Sequence, residues 1–169
     1  LNHAANETGP PVVLLAFQRW LRANTDLDFT TIHYAGGSLL PAFEALGETS
    51  VVHRRWGPEV VVGGLLTRAH REAAARALAV SAARLRSGRV RGDLVVVNAL
   101  APVNLNVLRA LDPPVPVVAH VHELSVILEH RLAAADLAYA LDRSEHFVAV
   151  SGAVRDNLVA RHGVDADRV

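Results

Sequence analysis

Two stretches decide the fold: Asp93-Leu94-Val95-Val96-Val97-Asn98, and Val115-Pro116-Val117-Val118-Ala119-His120-Val121-His122-Glu123. Each is a short, nearly continuous apolar run, rich in β-branched residues and ending in polar side chains. That is the pattern of a strand buried on both faces of a parallel sheet. Between them, residues 102–111 read as a helix that begins at Pro102 and is broken by Pro113-Pro114. Strand, helix, strand at this spacing predicts an α/β fold with a mostly parallel sheet.

Working outward, the alternation repeats. Residues 1–3 read as the tail of a first strand. Thr8-Gly9-Pro10-Pro11 opens a helix that Thr8 can cap, with Val13, Phe17, Trp20 and Leu21 as its sheet-facing stripe and Gln18, Arg19 and Arg22 on the other side. Residues 28–34 form a strand closed by Gly36-Gly37, 39–46 a short helix ended by Gly47, and 49–54 another strand. Residues 60–66 read as a further strand and 67–87 as the longest helix, ended by Gly88. Toward the C-terminus, 123–141 is mostly helical, 146–150 is a strand, and Ser151 caps a helix running to His162. There is no repeat, low-complexity segment or internal linker, so one domain over residues 1–169 is expected.

The chain has 169 residues, 51% hydrophobic and 20% charged, enough for a full core without disulfide or metal staples. Its 17 basic and 17 acidic residues cancel, so bulk charge gives no reason to expect nucleic acid. Every basic residue is Arg, which excludes a P-loop lysine, a Schiff-base lysine and a lysine general base. With no Cys, thiolate metal sites and cysteine nucleophiles are excluded too. The absence of Met and the start at Leu1 predict a natural start upstream. No apolar run approaches the ~20 residues of a membrane span and no signal peptide is recognisable. A cytoplasmic protein is expected.

In an open parallel sheet, ligands sit beyond the carboxyl ends of the strands. The residues there are His3, the loop Asn6-Glu7-Thr8-Gly9, His33 and Tyr34 with Gly36-Gly37, Arg54-Arg55, Asn98, His120 with His122-Glu123, and Ser151. Gly9 lets a ligand approach the backbone, and the helix N-terminus behind it favours an anion. Strand-end residues are polar in any α/β protein, so each has a purely structural reading as well.

Sharper motifs fail. A dinucleotide fingerprint needs three spaced glycines, and only Gly9 is present. Ser151 lacks the first glycine of a nucleophile elbow and reads first as a helix cap. His120 and His122 share a strand face, but no third ligand follows, so no metal is expected. Arg84, Arg86, Arg89 and Arg91 read as solvated charge at a helix C-terminus, with contact to a phosphorylated acceptor or to anionic lipid headgroups, on the inner face of the plasma membrane, as the functional alternative.

Four segments, in order, resemble the N-terminal domain of the retaining, two-domain glycosyltransferases of family 4. They are Glu7-Thr8-Gly9-Pro10-Pro11; Gly36-Gly37-Ser38-Leu39-Leu40 with Glu44-Ala45-Leu46-Gly47; Asp93 to Asn98 followed by Pro116 to Glu123; and Phe147-Val-Ala-Val-Ser151-Gly-Ala-Val-Arg155-Asp156-Asn-Leu158, leading to Gly163-Val-Asp165 and Arg168-Val169. The resemblance implies a Rossmann-like doubly wound parallel sheet, the N-terminal half of a GT-B fold, facing a C-terminal domain that binds most of a nucleotide-sugar donor.

It also implies hexosyl transfer with retention, from a UDP-, GDP- or ADP-sugar to a sugar, lipid or small-molecule acceptor, with no cofactor and no metal. By position, Gly9 would approach the donor phosphates and His122 would lie near the transferred sugar as the catalytic-site histidine. Thr8, Gly37, Asn98, Glu123 and Ser151 are the accompanying substrate-side candidates. Pro10 and Pro11 depart from the pattern by removing N–H donors from the glycine loop. Without a donor domain, this stretch alone should not turn over. The alternatives are a non-catalytic α/β binding or scaffold domain, or another nucleotide-sugar enzyme such as an epimerase.

Overall fold

The computed structural model describes residues 1–53 and 92–169. The expected strand at 60–66, the long helix at 67–87, Arg54-Arg55 and the cluster Arg84, Arg86, Arg89 and Arg91 lie outside the described residues.

Six strands form one all-parallel sheet: β1 (Asn2–Ala4), β2 (Thr30–Ala35), β3 (Glu48–His53), β4 (Val95–Asn98), β5 (Val117–Val121) and β6 (His146–Ala149). Their order is β3-β2-β1-β4-β5-β6. The order reverses between β1 and β4, so this is the doubly wound, Rossmann-like arrangement, and its crevice opens where those two strands end. Numbered in chain order among the described residues, the helices are α1 (Gly9–Asn24), α2 (Leu40–Glu44), α3 (Pro102–Leu111), α4 (Ser125–Arg131), α5 (Ala134–Arg143) and α6 (Gly152–His162).

Residues two apart on a strand share a face, and the two faces differ in chemistry. One carries Val97, Val117, Ala119, Val121 and Phe147. It is closed by Leu105 and Leu108 of α3, Leu128 of α4, Ala140 of α5 and Val154 and Leu158 of α6, all buried. The other is polar at the centre of one line, between Val51 and Val148. Val51, His33, Asn2, Asn98, His120 and Val148 stand in register across β3, β2, β1, β4, β5 and β6.

Helix α1 covers the polar face, and here the expected stripe is corrected. Pro11, Leu14, Leu15 and Gln18 are buried, whereas Val13, Phe17 and Trp20 are 42%, 48% and 56% exposed. Two overlapping helical stripes exist in this apolar segment. The sheet beneath accepts the one holding Gln18, because Thr31 Oγ1 takes a 2.8 Å hydrogen bond from its Nε2. That bond satisfies the amide nitrogen of the inward-facing Gln18, while its Oε1 is buried without a hydrogen-bond partner among the described residues. Thr8 stands at the N-cap position but does not cap; its hydroxyl donates to Asn6 Oδ1 at 2.7 Å.

The stretch expected as mostly helical, 123–141, is two helices. Leu132 and Ala133 are extended between α4 and α5, and Leu132 is buried in the same apolar cluster as Leu128 and Ala140. Both helices reach that cluster only because the chain bends between them. The last helix follows its local signals. Ser151 Oγ accepts from Val154 N–H at 3.3 Å, and Gly163 closes α6 at φ 68°, a left-handed conformation suited to glycine. Ser151→Ala is expected to cost ~1 kcal/mol of stability with specific activity retained. Urea unfolding checks this, and a loss of activity at unchanged stability would give Ser151 a role beyond the cap.

Candidate functional site

The β1–α1 loop, the end of β4 and the end of β5 meet at the switch point. Asn98, buried at the end of β4, ties them together. Its Nδ2 donates to Pro10 O in the first turn of α1 at 2.9 Å and to Asn2 Oδ1 at 3.1 Å, and its Oδ1 faces His122 Nε2 at 3.2 Å. Asn2 continues the chain, with Nδ2 donating to Ala4 O at 2.7 Å and meeting His33 Nδ1 at 3.0 Å. One amide network therefore runs from His122 across β4 and β1 to His33.

Four histidines, His3, His33, His120 and His122, lie on or just after β1, β2 and β5. The His120 and His122 rings lie 4.3 Å apart. Burial lowers the pKa of His3 and of His120. Burial, then His120 and His3, pushes His122 down to about 4. Burial, above all, brings His33 to about 4 as well. Both are neutral imidazoles at neutral pH. The His33 ring stands edge-to-face with Phe43, centroids 4.5 Å apart, and its Nε2 has no hydrogen-bond partner among the described residues.

Glu123 is committed to the backbone. Its Oε2 accepts from His122 N–H at 3.0 Å and from Leu100 N–H at 3.3 Å, joining the loop after β4 to the end of β5. Burial raises its pKa, against the opposing effect of those backbone bonds. Between these strands, Ala99 adopts φ 76°, a strained conformation for a residue with a Cβ. The buried Asn104 holds the turn, donating from Nδ2 to Asn98 O at 2.8 Å and Ala99 O at 3.0 Å.

The loop residues divide into two kinds. Gly9 is exposed, and a Cβ there would meet nothing within 4 Å, so the space on its side-chain side is open. Of the first three helical residues, Pro10 and Pro11 have no N–H, which leaves Gly9 as the free donor of that turn. Gly37 is instead pressed against protein: a Cβ would lie 2.2 Å from Ala5 O. Ser38 Oγ donates to Glu7 Oε1 at 3.0 Å, tying the same two loops together. Ser151 stands apart from the network, its hydroxyl spent on α6, although Val150 N–H donates to Val121 O next to His122 at 3.2 Å.

The structure thus brings Asn98, His122 and Glu123 together beside the Thr8-Gly9 loop, places Gly37 behind that loop, and leaves Ser151 one strand away. Sequence reasoning missed Asn2 and Asn104. A buried asparagine in a strand and another in the first turn of a helix were the available signals. Among the described residues, no group of three metal-binding side chains stands together and no helix is long and apolar enough to cross a membrane.

A doubly wound parallel sheet with polar side chains gathered at its switch point is a Rossmann-like α/β arrangement. The sequence model for Glycosyltransferase Family 4 matches residues 41–169, and the chain belongs to that family. The matched stretch includes Asn98, His122, Glu123 and Ser151, while the Thr8-Gly9 loop and Gly37 precede it. Its function is of the glycosyltransferase type, with sugars as substrates. No curated protein and no solved structure matches the chain.

Proposed function

We propose that this chain is the acceptor-side domain of a retaining glycosyltransferase that moves a sugar from a nucleotide-sugar donor to an acceptor without a metal ion. The observation that carries the reading is a neutral, partly buried His122 at the end of β5, held by Asn98 beside the exposed Gly9. A neutral imidazole suits a sugar hydroxyl. The free N–H of Gly9 at the start of a 16-residue helix suits the negative charge that develops as a nucleoside diphosphate departs. A second domain would supply the rest of the donor pocket, so the complete protein is the form expected to turn over.

The test screens UDP-, GDP- and ADP-sugars with varied acceptors on the complete natural protein, wild type and His122→Ala. Wild type is expected to release a nucleoside diphosphate and form a glycosylated product. His122→Ala is expected to lose roughly 30-fold or more in kcat/KM, the ~2 kcal/mol of a hydrogen bond strengthened in the transition state, with little change in stability. Silence of a folded wild-type protein across the panel would overturn the transferase reading in favour of a binding domain. A product that is an isomer of the donor sugar would make it an epimerase.

A further inference from the structure

The amide network has a direction, and two main-chain carbonyls fix it. A backbone carbonyl oxygen only accepts, so the side-chain atom of Asn98 facing Pro10 O must be its NH2, and the atom of Asn2 facing Ala4 O must be its NH2. With both amides oriented, every other partner follows. Asn98 Oδ1 can only accept, so His122 Nε2 carries a hydrogen and donates across 3.2 Å. Asn2 Oδ1 accepts from Asn98 Nδ2. The second N–H of Asn2 points at His33 Nδ1, which must offer a lone pair, so the His33 proton also sits on Nε2.

We infer that Asn98, backed by Asn2, is a positioning residue that holds His122 as its Nε2–H tautomer, so that Nδ1 serves only as an acceptor for a hydroxyl of the bound sugar. The sugar contact rests on the proposed function; the hydrogen on Nε2 rests on the amide orientations, and the lone pair on Nδ1 on the ring being neutral.

Burial and the nearby His120 and His3 oppose protonation of His122, and the Glu123 carboxylate beside it is turned to backbone N–H groups. No described hydrogen bond uses His122 Nδ1. An imidazole in this state can take a proton-bearing hydroxyl but has nothing to offer a phosphate oxygen. The two ligand halves are thereby sorted: phosphate toward the Gly9 loop, sugar hydroxyl toward β5.

Nitrogen-15 NMR of histidine-labelled complete protein at neutral pH, with the His122 signals assigned by their loss in His122→Ala, reads the tautomer directly. Wild type is expected to show a protonated Nε2 and a lone-pair Nδ1. A protonated Nδ1, averaged nitrogens or an imidazolium would overturn the inference. Asn98→Ala removes the acceptor opposite Nε2 and is expected to turn the His122 nitrogens toward averaged, tautomer-exchanging positions in the same spectrum. An unchanged spectrum would remove Asn98 as a positioning residue. If the tautomer is as expected but His122→Ala transfers sugar at the wild-type rate, the sugar contact falls and the network stands.

Discussion

Gly37→Ala is expected to cost at least ~3 kcal/mol, the upper range for overpacking a site that cannot yield. The added methyl would lie 2.2 Å from Ala5 O, 2.5 Å from Ala5 C and 2.8 Å from Asn6 N, all backbone atoms. Moving that peptide away would strain two hydrogen bonds, Ala5 N–H to Ala35 O at 3.1 Å and Leu39 N–H to Ala5 O at 2.8 Å. These bonds join the end of β1 to the end of β2, and the loop they anchor leads directly into Thr8-Gly9. Gly36→Ala is the control. Its Cβ would meet only Leu40 Cδ2 at 3.9 Å, an ordinary contact, so it should be neutral or gain a few tenths of a kcal/mol from reduced unfolded-state freedom. Urea midpoints of the two variants decide the matter. Equal midpoints would mean that the close approach at Gly37 does not exist in solution.

The second large effect is acid sensitivity. His33 is fully buried, and its pKa is about 4 against an ordinary 6.5. Between those values the unfolded chain takes up a proton that the folded chain refuses, so stability falls as pH falls. The contribution is fully present above pH 6.5 and is lost progressively toward pH 4. For His33 alone the loss is on the order of 3 kcal/mol. His122, with a pKa also of about 4, acts in the same direction but is partly exposed, and His3 and His120 add smaller effects of the same sign. Glu123 opposes them, because its raised pKa makes the folded state bind a proton before the unfolded chain does. Urea unfolding between pH 7 and pH 4 should show a falling midpoint. His33→Asn, which keeps an acceptor for Asn2, should flatten the slope. A flat wild-type profile, or the same slope in both proteins, would show that His33 is not buried neutral.

The fold was legible because its signals are local. The runs at 93–98 and 115–121 contain little but β-branched and small residues, which commits them to strands covered on both faces. Pro102 sets the start of α3, and Ser151 sets that of α6. The break at Leu132-Ala133 was not legible. The sequence there is helix-forming throughout, and the bend follows from where Leu128, Leu132 and Ala140 must converge. The face of α1 was read wrongly for a similar reason. Hydrophobicity favours burying Phe17 and Trp20, but the side chains beneath are Thr31, Asn2 and Asn98, and they favour Gln18 and the carbonyl of Pro10.

The candidate site divides in the same way. Strand ends could be found from sequence, so His122, Asn98 and Glu123 were found. Their division of labour could not. Nothing in the chain order says that Glu123 serves the backbone N–H of Leu100, that Gly37 makes room for Ala5, or that Asn2 and Asn98 pass one hydrogen-bond direction from His33 to His122.

Sequence alone determined the α/β class, which residues end the strands and the family resemblance, because periodicity and end residues are properties of contiguous segments. Tertiary structure alone decided which face of α1 is buried, where the helix after β5 breaks, and which nitrogen of His122 carries its proton. The first two depend on which side chains of the sheet and its neighbouring helices lie against each helix; the last depends on residues 96 positions apart, brought within hydrogen-bond distance only when β1 lies beside β4.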